Sequence, residues 1–206
     1  MKVVSMGLSH VLSGSVYSLL KSSRALKLVG LVIMLFVGKT TISSIQAAEN
    51  QFVLSGDNCK IEFIGYKPTG KHSGGFKKLT GSAMVAGDIT SLKLTIDIDM
   101  NSLYSDDTKL TGHLKSPDFF NVKENPKSKF VSSKVEKTDS GYNIVGDLTI
   151  NGKSKSISIP SMIEIKDGNL KIKSDFKINR TDFGITYGKG IINNEVDLKV
   201  NVSASK

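Results

Sequence analysis

The sequence predicts an all-β protein, an antiparallel β-barrel of about eight strands with a short helical lid segment. Downstream of residue 50, apolar and polar residues alternate with the two-residue period of half-buried strands. The dipeptides Asn151-Gly152 and Asp167-Gly168 separate such runs, and both favour the tight turns of β-hairpins. Residues 108–120 break the alternation, and residues 179–187 predict an irregular loop. An antiparallel sheet with one apolar face must roll up or pair with a second sheet to bury that face.

The strand patterns follow one another with short turns between them. Residues 50–66 predict an opening strand or two, and the glycine-rich residues 71–76 lead into a strand that ends near Ala86. Residues 91–100 alternate most regularly, with one apolar and one polar face. The apolar face comprises Leu92, Leu94, Ile96, Ile98 and Met100, and the polar face Lys93, Thr95, Asp97 and Asp99. Further strands are predicted at residues 129–137, 142–150, 153–159, 161–166, 170–178 and 195–204.

The stretch that breaks the alternation has a helical spacing instead. Leu110, Leu114 and the pair Phe119–Phe120 are four or five positions apart, so one or two helical turns would place them on one side. Pro117 ends the helix, because the residue before a proline is pushed out of the α region. We expect either a lid over one end of the barrel or a segment that only closes the core.

The predicted interior is almost purely aliphatic and aromatic. A polar ligand would require polar groups that converge inside the barrel, and the alternation places few of them there. We therefore expect any cavity to be apolar and its occupant to be a hydrocarbon chain. The candidate ligand-binding residues are Phe76, Met84, Leu94, Ile96, Ile98, Leu114, Phe119, Phe120, Phe130 and Phe176. Other side chains expected to face inward are Phe63, Ile144, Leu148, Ile172 and Leu198.

The first 48 residues differ from the barrel. They hold five basic residues and no acidic one, and an apolar run at residues 28–37 follows the first four of the basic residues. Basic residues, then roughly 7–15 apolar residues, then small residues form the pattern of a secretory signal peptide. A membrane-spanning helix needs a longer run of roughly 20 apolar residues. We expect a signal peptide at residues 1–48, removed near Ala48 or retained as an anchor, and a periplasmic or secreted barrel domain at residues 49–206.

The distribution of charge along the chain argues against nucleic acid as a partner. Of the 28 basic residues, five lie in the leader, which leaves 23 against 19 acidic ones and lowers the formal charge from +9 to +4. The remaining lysines are mostly scattered singly along the strands, whereas a nucleic-acid surface needs clustered Lys and Arg. Cys59 is the only cysteine, so no intrachain disulfide can form. Its alternation with Ile61 and Phe63 predicts an inert, buried thiol.

Five ordered segments of the chain resemble the YceI-like family. Residues 113–120 (His-Leu-Lys-Ser-Pro-Asp-Phe-Phe), 146–152 and 176–184 are similar to its signature segments, and residues 72–76 and 96–102 to its N-terminal half. The resemblance covers essentially the whole predicted barrel. It implies a lipocalin-like extended β-barrel with a long hydrophobic cavity, in an exported bacterial protein. Members of the family bind polyisoprenoid lipids such as isoprenoid quinones.

The same resemblance suggests polar contacts at one end of the cavity. It places Phe183 near the ligand path, in a loop that also contains Arg180 and Asp182. These two charged residues either pair with each other or with charged groups of the lid, and Arg180 either fastens the loop or contacts a lipid head group. His113 and Asp118 are the other candidate head-group contacts.

Two functions from different classes remain open. The first is a non-enzymatic carrier of a long isoprenoid or similar amphiphilic lipid, since each buried CH2 contributes roughly 0.8 kcal/mol without specific polar contacts. The second is a small barrel isomerase or cyclase that acts on a lipid, with His113 or Asp118 as the proton-transfer group. The sequence shows no orienting partner for either group, so the carrier is favoured.

Metal and cofactor chemistry have little support in the sequence. The barrel holds two histidines, His72 and His113, whereas a zinc site takes about three or four protein ligands. We expect no metal and no cofactor, and the ligand itself to be an isoprenoid lipid or isoprenoid quinone. Transient contact with a membrane and pairing of two barrels as a homodimer are open expectations.

Overall fold

Eleven β-strands pair in one antiparallel sheet within residues 49–206, the part of the chain that this computed structural model describes. The strands are β1 (Glu49–Ser55), β2 (Cys59–Lys67), β3 (Gly70–Phe76), β4 (Leu79–Ala86), β5 (Lys93–Asp99), β6 (Leu103–Ser105), β7 (Lys127–Thr138), β8 (Gly141–Ile150), β9 (Lys153–Lys166), β10 (Asn169–Asn179) and β11 (Glu195–Ser205). Helix α1 (Thr108–Lys115) connects β6 to β7. Short 3-10 helices lie at Ile89–Ser91, Met100–Ser102 and Arg180–Phe183. The signal peptide expected at residues 1–48 lies outside the described residues.

The sheet curls round an apolar interior. Its strand order is β1-β4-β5-β7-β8-β9-β10-β11-β2-β3-β6. Strand β1, at one edge of the sheet, also contacts β11, so the sheet folds back on itself. The all-β, lipocalin-like class is therefore confirmed, with eleven strands in place of the expected number of about eight.

Strand β3 accounts for part of this difference in strand number. Its glycine-rich sequence is typical of a loop and does not predict a strand. Gly74 and Gly75 are both buried and pair with β2 on one side and β6 on the other. A Cβ atom on Gly74 would lie 2.4 Å from the ring of Phe63 and 2.3 Å from the carbonyl oxygen of Tyr104. The glycine allows this close approach of neighbouring strands, which is an established use of glycine inside a sheet.

The two predicted hairpins are confirmed. Asn151 and Gly152 have φ angles of 51° and 71°, and Asp167 and Gly168 have φ angles of 51° and 73°. Positive φ at both central residues is the geometry of the two-residue hairpin turn, which Asn-Gly and Asp-Gly adopt at low cost. The turns fix the register of β8 with β9 and of β9 with β10.

The register of β4 corrects one predicted inward residue. Met84 pairs with Lys93, on the polar face of β5, whereas Ala83 pairs with the buried Leu94. Paired residues of neighbouring strands share a face of the sheet. Met84 therefore lies outside the cavity, and its prediction as a lining residue was wrong. The smaller Ala83 and Val85, on either side of Met84, are buried instead.

Candidate ligand cavity

A cavity of about 380 Å³ lies on the inner face of the curled sheet. This volume falls within the range of roughly 300–1,000 Å³ that is usual for small-molecule sites. Aromatic and aliphatic side chains supply most of its wall, as the alternation predicted. Of the predicted ligand-binding residues on strands, Phe76, Leu94, Ile96, Ile98, Phe130 and Phe176 line it. The arrangement gives a site suited to an apolar chain.

The lid segment lies against one part of this wall. Helix α1 begins after Asp107, whose side chain accepts a hydrogen bond from the Leu110 N–H at 2.8 Å. Such a cap stabilises the first turn of a short helix. The helix ends before Pro117, as predicted, and the chain turns back through a hydrogen bond from Phe120 N–H to the Leu114 carbonyl. Leu114, Phe119 and Phe120 all line the cavity.

His113 connects the lid to the loop that follows β10. Its Nε2 lies 3.0 Å from Asp118 Oδ2, and its ring meets Phe119 and Tyr187 edge-on, with ring centroids 4.9 and 4.8 Å apart. His113 lines the cavity, whereas Asp118 does not. Tyr187 lines the cavity too, although the sequence predicted only an irregular loop there. Asp118 is thus an orienting partner for His113, which the sequence alone did not reveal.

Arg180 fastens the same loop. Its side chain lines the cavity wall, the residue is only 5% exposed, and its guanidinium donates to four backbone carbonyls. The acceptors are Asn193 from Nε at 3.0 Å, Ile185 and Tyr187 from Nη1 at 2.9 and 2.7 Å, and Ile192 from Nη2 at 3.1 Å. Burial lowers the pKa of Arg180 from its ordinary value. These carbonyls, and not a carboxylate, are its partners.

The structure places the other two predicted loop residues, Phe183 and Asp182, in different surroundings. Phe183 is buried and lines the cavity, whereas Asp182 is exposed and does not. Within residues 49–206, neither Asp182 nor Asp118 forms an ion pair with Arg180. Of the alternatives that the sequence left open for Arg180, the structure shows the one in which it fastens the loop, through four backbone carbonyls.

The sequence of the barrel matches a known family. A family model described as the YceI-like domain matches residues 46–204. The chain belongs to the YceI-like family. A UPF0312 protein of Serratia proteamaculans is 30% identical over 168 residues, which cover 76% of this chain and 85% of that protein. A second UPF0312 protein, of Yersinia enterocolitica, is 29% identical over 181 residues, which cover 79% and 88%.

Solved structures share the curled sheet of this YceI-like chain. BcnA of Burkholderia cenocepacia has a TM-score of 0.66 at 23% identity, covering 71% of this chain and 96% of that one. The YceI protein of Campylobacter jejuni has a TM-score of 0.54 at 28% identity, covering 65% and 84%. A polyisoprenoid binding domain from Saccharophagus degradans has a TM-score of 0.59 at 13% identity, covering 77% and 99%. The first and third similarities bear on the fold alone.

A second histidine–carboxylate pair lies on the cavity wall of this YceI-like chain. His72, on β3, lines the cavity, and its Nδ1 is 2.9 Å from Asp106 Oδ1. Hydrogen bonds from the Ser73 backbone N–H and from His72 lower the pKa of Asp106. The sequence missed His72 as a lining residue. Its position two before Gly74 and four before Phe76 would have placed it inward once β3 was recognised as a strand.

The cavity wall also holds two serines that the sequence did not single out. Ser174 is buried and lies 2.8 Å, oxygen to oxygen, from the buried Ser161. Ser128 is 3% exposed, and its Oγ has no hydrogen-bond partner among residues 49–206. Both Ser174 and Ser128 line the cavity. The serine positions follow the two-residue period of their strands, so the period predicts their direction but not their partners.

Cys59 lies apart from the cavity wall. It is buried, and burial raises its pKa to about 11. A thiol with such a pKa is almost wholly protonated near neutral pH and therefore a poor nucleophile. The described residues contain no cluster of three His, Cys, Asp or Glu side chains placed to hold a metal ion. They also contain no helix of the length and apolar character that a membrane crossing requires.

Proposed function

We propose that this YceI-like chain is a non-enzymatic carrier of a long-chain isoprenoid, an isoprenoid quinone or a similar amphiphilic lipid, and that it acts as an exported bacterial protein. The main support is the apolar cavity of about 380 Å³ on the inner face of the sheet. A hydrocarbon chain in such a cavity gains roughly 0.8 kcal/mol for each CH2 removed from water. The same fold occurs in a polyisoprenoid binding domain from Saccharophagus degradans, so the fold is compatible with this class of ligand.

Native mass spectrometry of the protein purified from its own host tests this proposal. We expect a species heavier than the bare chain by the mass of one lipid. Extraction with an organic solvent should remove that mass, and gas chromatography of the extract should identify a long hydrocarbon chain. A preparation that contains only the bare chain, and that takes up no added isoprenoid, would contradict the proposal.

A second candidate function gains support from one contact. His113 lies on the cavity wall with Asp118 3.0 Å from its Nε2, which is the arrangement that a proton-transferring histidine needs in an isomerase or cyclase. Chromatography of the ligand recovered after prolonged incubation distinguishes the two functions. A carrier returns the same compound from the native chain and from Asp118→Asn, whereas an enzyme returns a rearranged isomer from the native chain only.

Export is the remaining part of the proposal. Residues 1–48 have the composition of a signal peptide, with five basic and no acidic residues and the apolar run at residues 28–37. N-terminal sequencing of the protein from the extracytoplasmic fraction of its host should begin near Ala48 or Glu49. Soluble cytoplasmic protein that retains Met1 would contradict export while leaving lipid binding intact.

A further inference from the structure

Ser128 places an unpaired hydroxyl in an apolar cavity. It lies on β7 opposite Ile98 and two residues before Phe130, so all three side chains share the inner face of the sheet. The residue is 3% exposed and has no hydrogen-bond partner among the described residues. Leaving a buried hydroxyl unpaired costs free energy, so such groups are normally satisfied.

We infer that Ser128 binds a neutral oxygen atom of the ligand, such as a hydroxyl or a carbonyl. This inference rests on the proposed function and specifies the class of lipid. An ionised head group does not suit the position, because one hydroxyl cannot compensate a buried charge. Arg180, the buried cation of the wall, directs four of its N–H groups to backbone carbonyls. At Ser128 itself, the ligand therefore presents an alcohol or carbonyl oxygen on its apolar chain.

A pair of probes with one skeleton tests Ser128. Phytol is a branched isoprenoid alcohol, and phytane is the corresponding saturated hydrocarbon. Each displaces the fluorescent probe N-phenyl-1-naphthylamine from delipidated protein if it enters the cavity. We expect the native chain to prefer phytol to phytane by about three- to tenfold, as one hydrogen bond allows. Ser128→Ala should abolish the preference, with phytane binding unchanged.

Ser174→Ala is the matched control, because this buried hydroxyl is already paired with Ser161. It should change the affinities for phytol and phytane by the same factor. A preference that survives in Ser128→Ala, or is lost equally in Ser174→Ala, would overturn the inference and leave lipid binding standing. Failure of both probes to displace the dye from the native chain would overturn the proposed function together with the inference.

A second inference, independent of the one on Ser128, concerns the rim of the cavity. Residues 66–72 and 186–193 meet there through a hydrogen bond from Asn193 N–H to the Tyr66 carbonyl at 2.9 Å. Between them, these two segments hold three lysines, at positions 67, 71 and 189, and no acidic residue. Tyr66 and several neighbours in both segments line the cavity. The two segments thus contribute a net positive charge beside the cavity.

Ile191 projects from this rim. Its amide and that of Ile192 donate to the Gly188 carbonyl at 2.9 and 2.8 Å, which defines a tight turn. Ile192 packs against the core and lines the cavity, whereas Ile191 is 67% exposed. Tyr187, four residues earlier in the chain, is 45% exposed and also lines the cavity. An exposed aliphatic side chain, an amphipathic ring and lysines are the composition that binds the interface of a bilayer.

We propose that this rim docks on the anionic surface of a lipid bilayer, with Ile191 inserted below the head groups. The charges are complementary, since the two segments hold three lysines and no acidic residue of their own. Two carboxylates from elsewhere contact them: Asp197 accepts from the Tyr66 hydroxyl at 2.7 Å, and Asp106 lies 2.9 Å from His72 Nδ1. Docking there would place the cavity wall beside the lipids, so that a ligand could pass between the bilayer and the barrel without crossing water.

Vesicles of phosphatidylglycerol and phosphatidylethanolamine test the rim. Ile191→Asn in protein purified from its own host should reduce co-sedimentation with the vesicles about three- to tenfold. Met162→Asn is the matched control, because Met162 is 68% exposed on β9. It should bind like the native chain. High salt should weaken native binding, since charges near an anionic surface are screened.

Equal binding by Ile191→Asn and the native chain would overturn the docking proposal. So would equal loss in Ile191→Asn and Met162→Asn, because that result indicates a general effect of surface polarity. Sedimentation velocity identifies the main alternative, a second copy of the chain on the rim. If Ile191→Asn dissociates a dimer and leaves vesicle binding unchanged, the rim is a protein interface and the membrane proposal is overturned.

Discussion

Arg180 shows how one residue organises the side of the cavity that faces the lid. A guanidinium has five N–H donors in a fixed plane, and four of these in Arg180 reach backbone carbonyls of residues 185–193. Apart from the bond from Asn193 N–H to Tyr66 on β2, the loop that contains them is not paired with a strand, so the guanidinium supplies hydrogen bonds that a sheet would otherwise provide. The residue is therefore structural in the first place, and it shapes the cavity through the loop.

Replacing Arg180 with Lys tests this role. Lysine keeps the charge but cannot reach four carbonyls in the plane of a guanidinium, so buried acceptors lose their donors. We expect the free energy of unfolding to fall by about 2–4 kcal/mol, as measured by urea denaturation. Lys134→Gln, at an exposed lysine, is the control and should change stability by less than about 0.5 kcal/mol. A loss no larger than the control's would show that the four bonds do not fasten the loop.

Cys59 gives a prediction about pH. Burial raises its pKa from 9.0 to about 11, so the folded chain holds the thiol proton more tightly than the unfolded chain does. The corresponding stability is fully present below pH 9 and is lost as the pH rises through 11. The native chain should thus lose roughly 2–3 kcal/mol more than Cys59→Ala over this range. Urea titrations at several pH values measure the difference, and a constant difference would contradict it.

At the scale of elements, the lid is a short helix followed by two phenylalanines with different surroundings. Phe119 is 7% exposed and contacts the rings of His113 and Tyr187, whereas Phe120 is partly exposed. Both line the cavity. Since Phe120 contributes less to the packed core, its ring can be removed with a smaller loss of stability.

Phe120→Ala should therefore weaken retention of the bound lipid while the barrel stays folded. We expect faster loss of the lipid to acceptor vesicles, measured by native mass spectrometry over time, with an unchanged circular dichroism spectrum. Phe52→Ala is the control, because Phe52 is fully buried and is not part of the cavity wall. It should lower the free energy of unfolding by about 3–5 kcal/mol. If Phe120→Ala is equally destabilising and retains the lipid, the lid is only core.

The elements differ in how far the sequence could predict them. The period of β5 and the Asn151-Gly152 turn depend on local chemistry, and both were correctly predicted. Strand β3 was missed because Gly74 is required by a ring from another strand, which no local pattern records. Met84 was assigned to the wrong face for a similar reason, since only the register with β5 decides between it and Ala83.

The residues of the candidate site also divide into those that the sequence could predict and those that it could not. Its apolar wall could be predicted from alternation, because the direction of a side chain on a strand depends on its position alone. The partners of polar groups could not, because hydrogen bonds join residues that are distant in the chain. Arg180 reaches carbonyls of a later loop, and Ser161 and Ser174 pair across two strands. The family resemblance indicated which loop mattered without indicating how it is held.

For the whole molecule, the curled sheet leaves part of its apolar face to a ligand. In a filled barrel the apolar faces of the strands would pack on one another. Here they enclose a cavity of about 380 Å³. A lipid bound as proposed would complete the core and stabilise the fold by mass action, by about 2.7 kcal/mol when its free concentration is a hundred times Kd. Removing the lipid should lower Tm, and adding it back should restore the original value.

Differential scanning calorimetry of the delipidated and reloaded protein measures this effect. A shorter alcohol such as hexanol, which removes less apolar surface from water, is the control and should raise Tm less at the same concentration. Identical melting curves for the delipidated and reloaded protein would show that the lipid does not contribute to the folded state.

The cavity also determines how the protein responds to compression. Unfolding eliminates internal voids, so a molecule with a larger empty interior has a more negative volume change on unfolding. Hydrostatic pressure should consequently unfold the lipid-free chain well before the loaded one, even at a temperature where both are stable. The lipid would then act as an incompressible filling of the barrel, and the pressure midpoint in high-pressure NMR would report its occupancy.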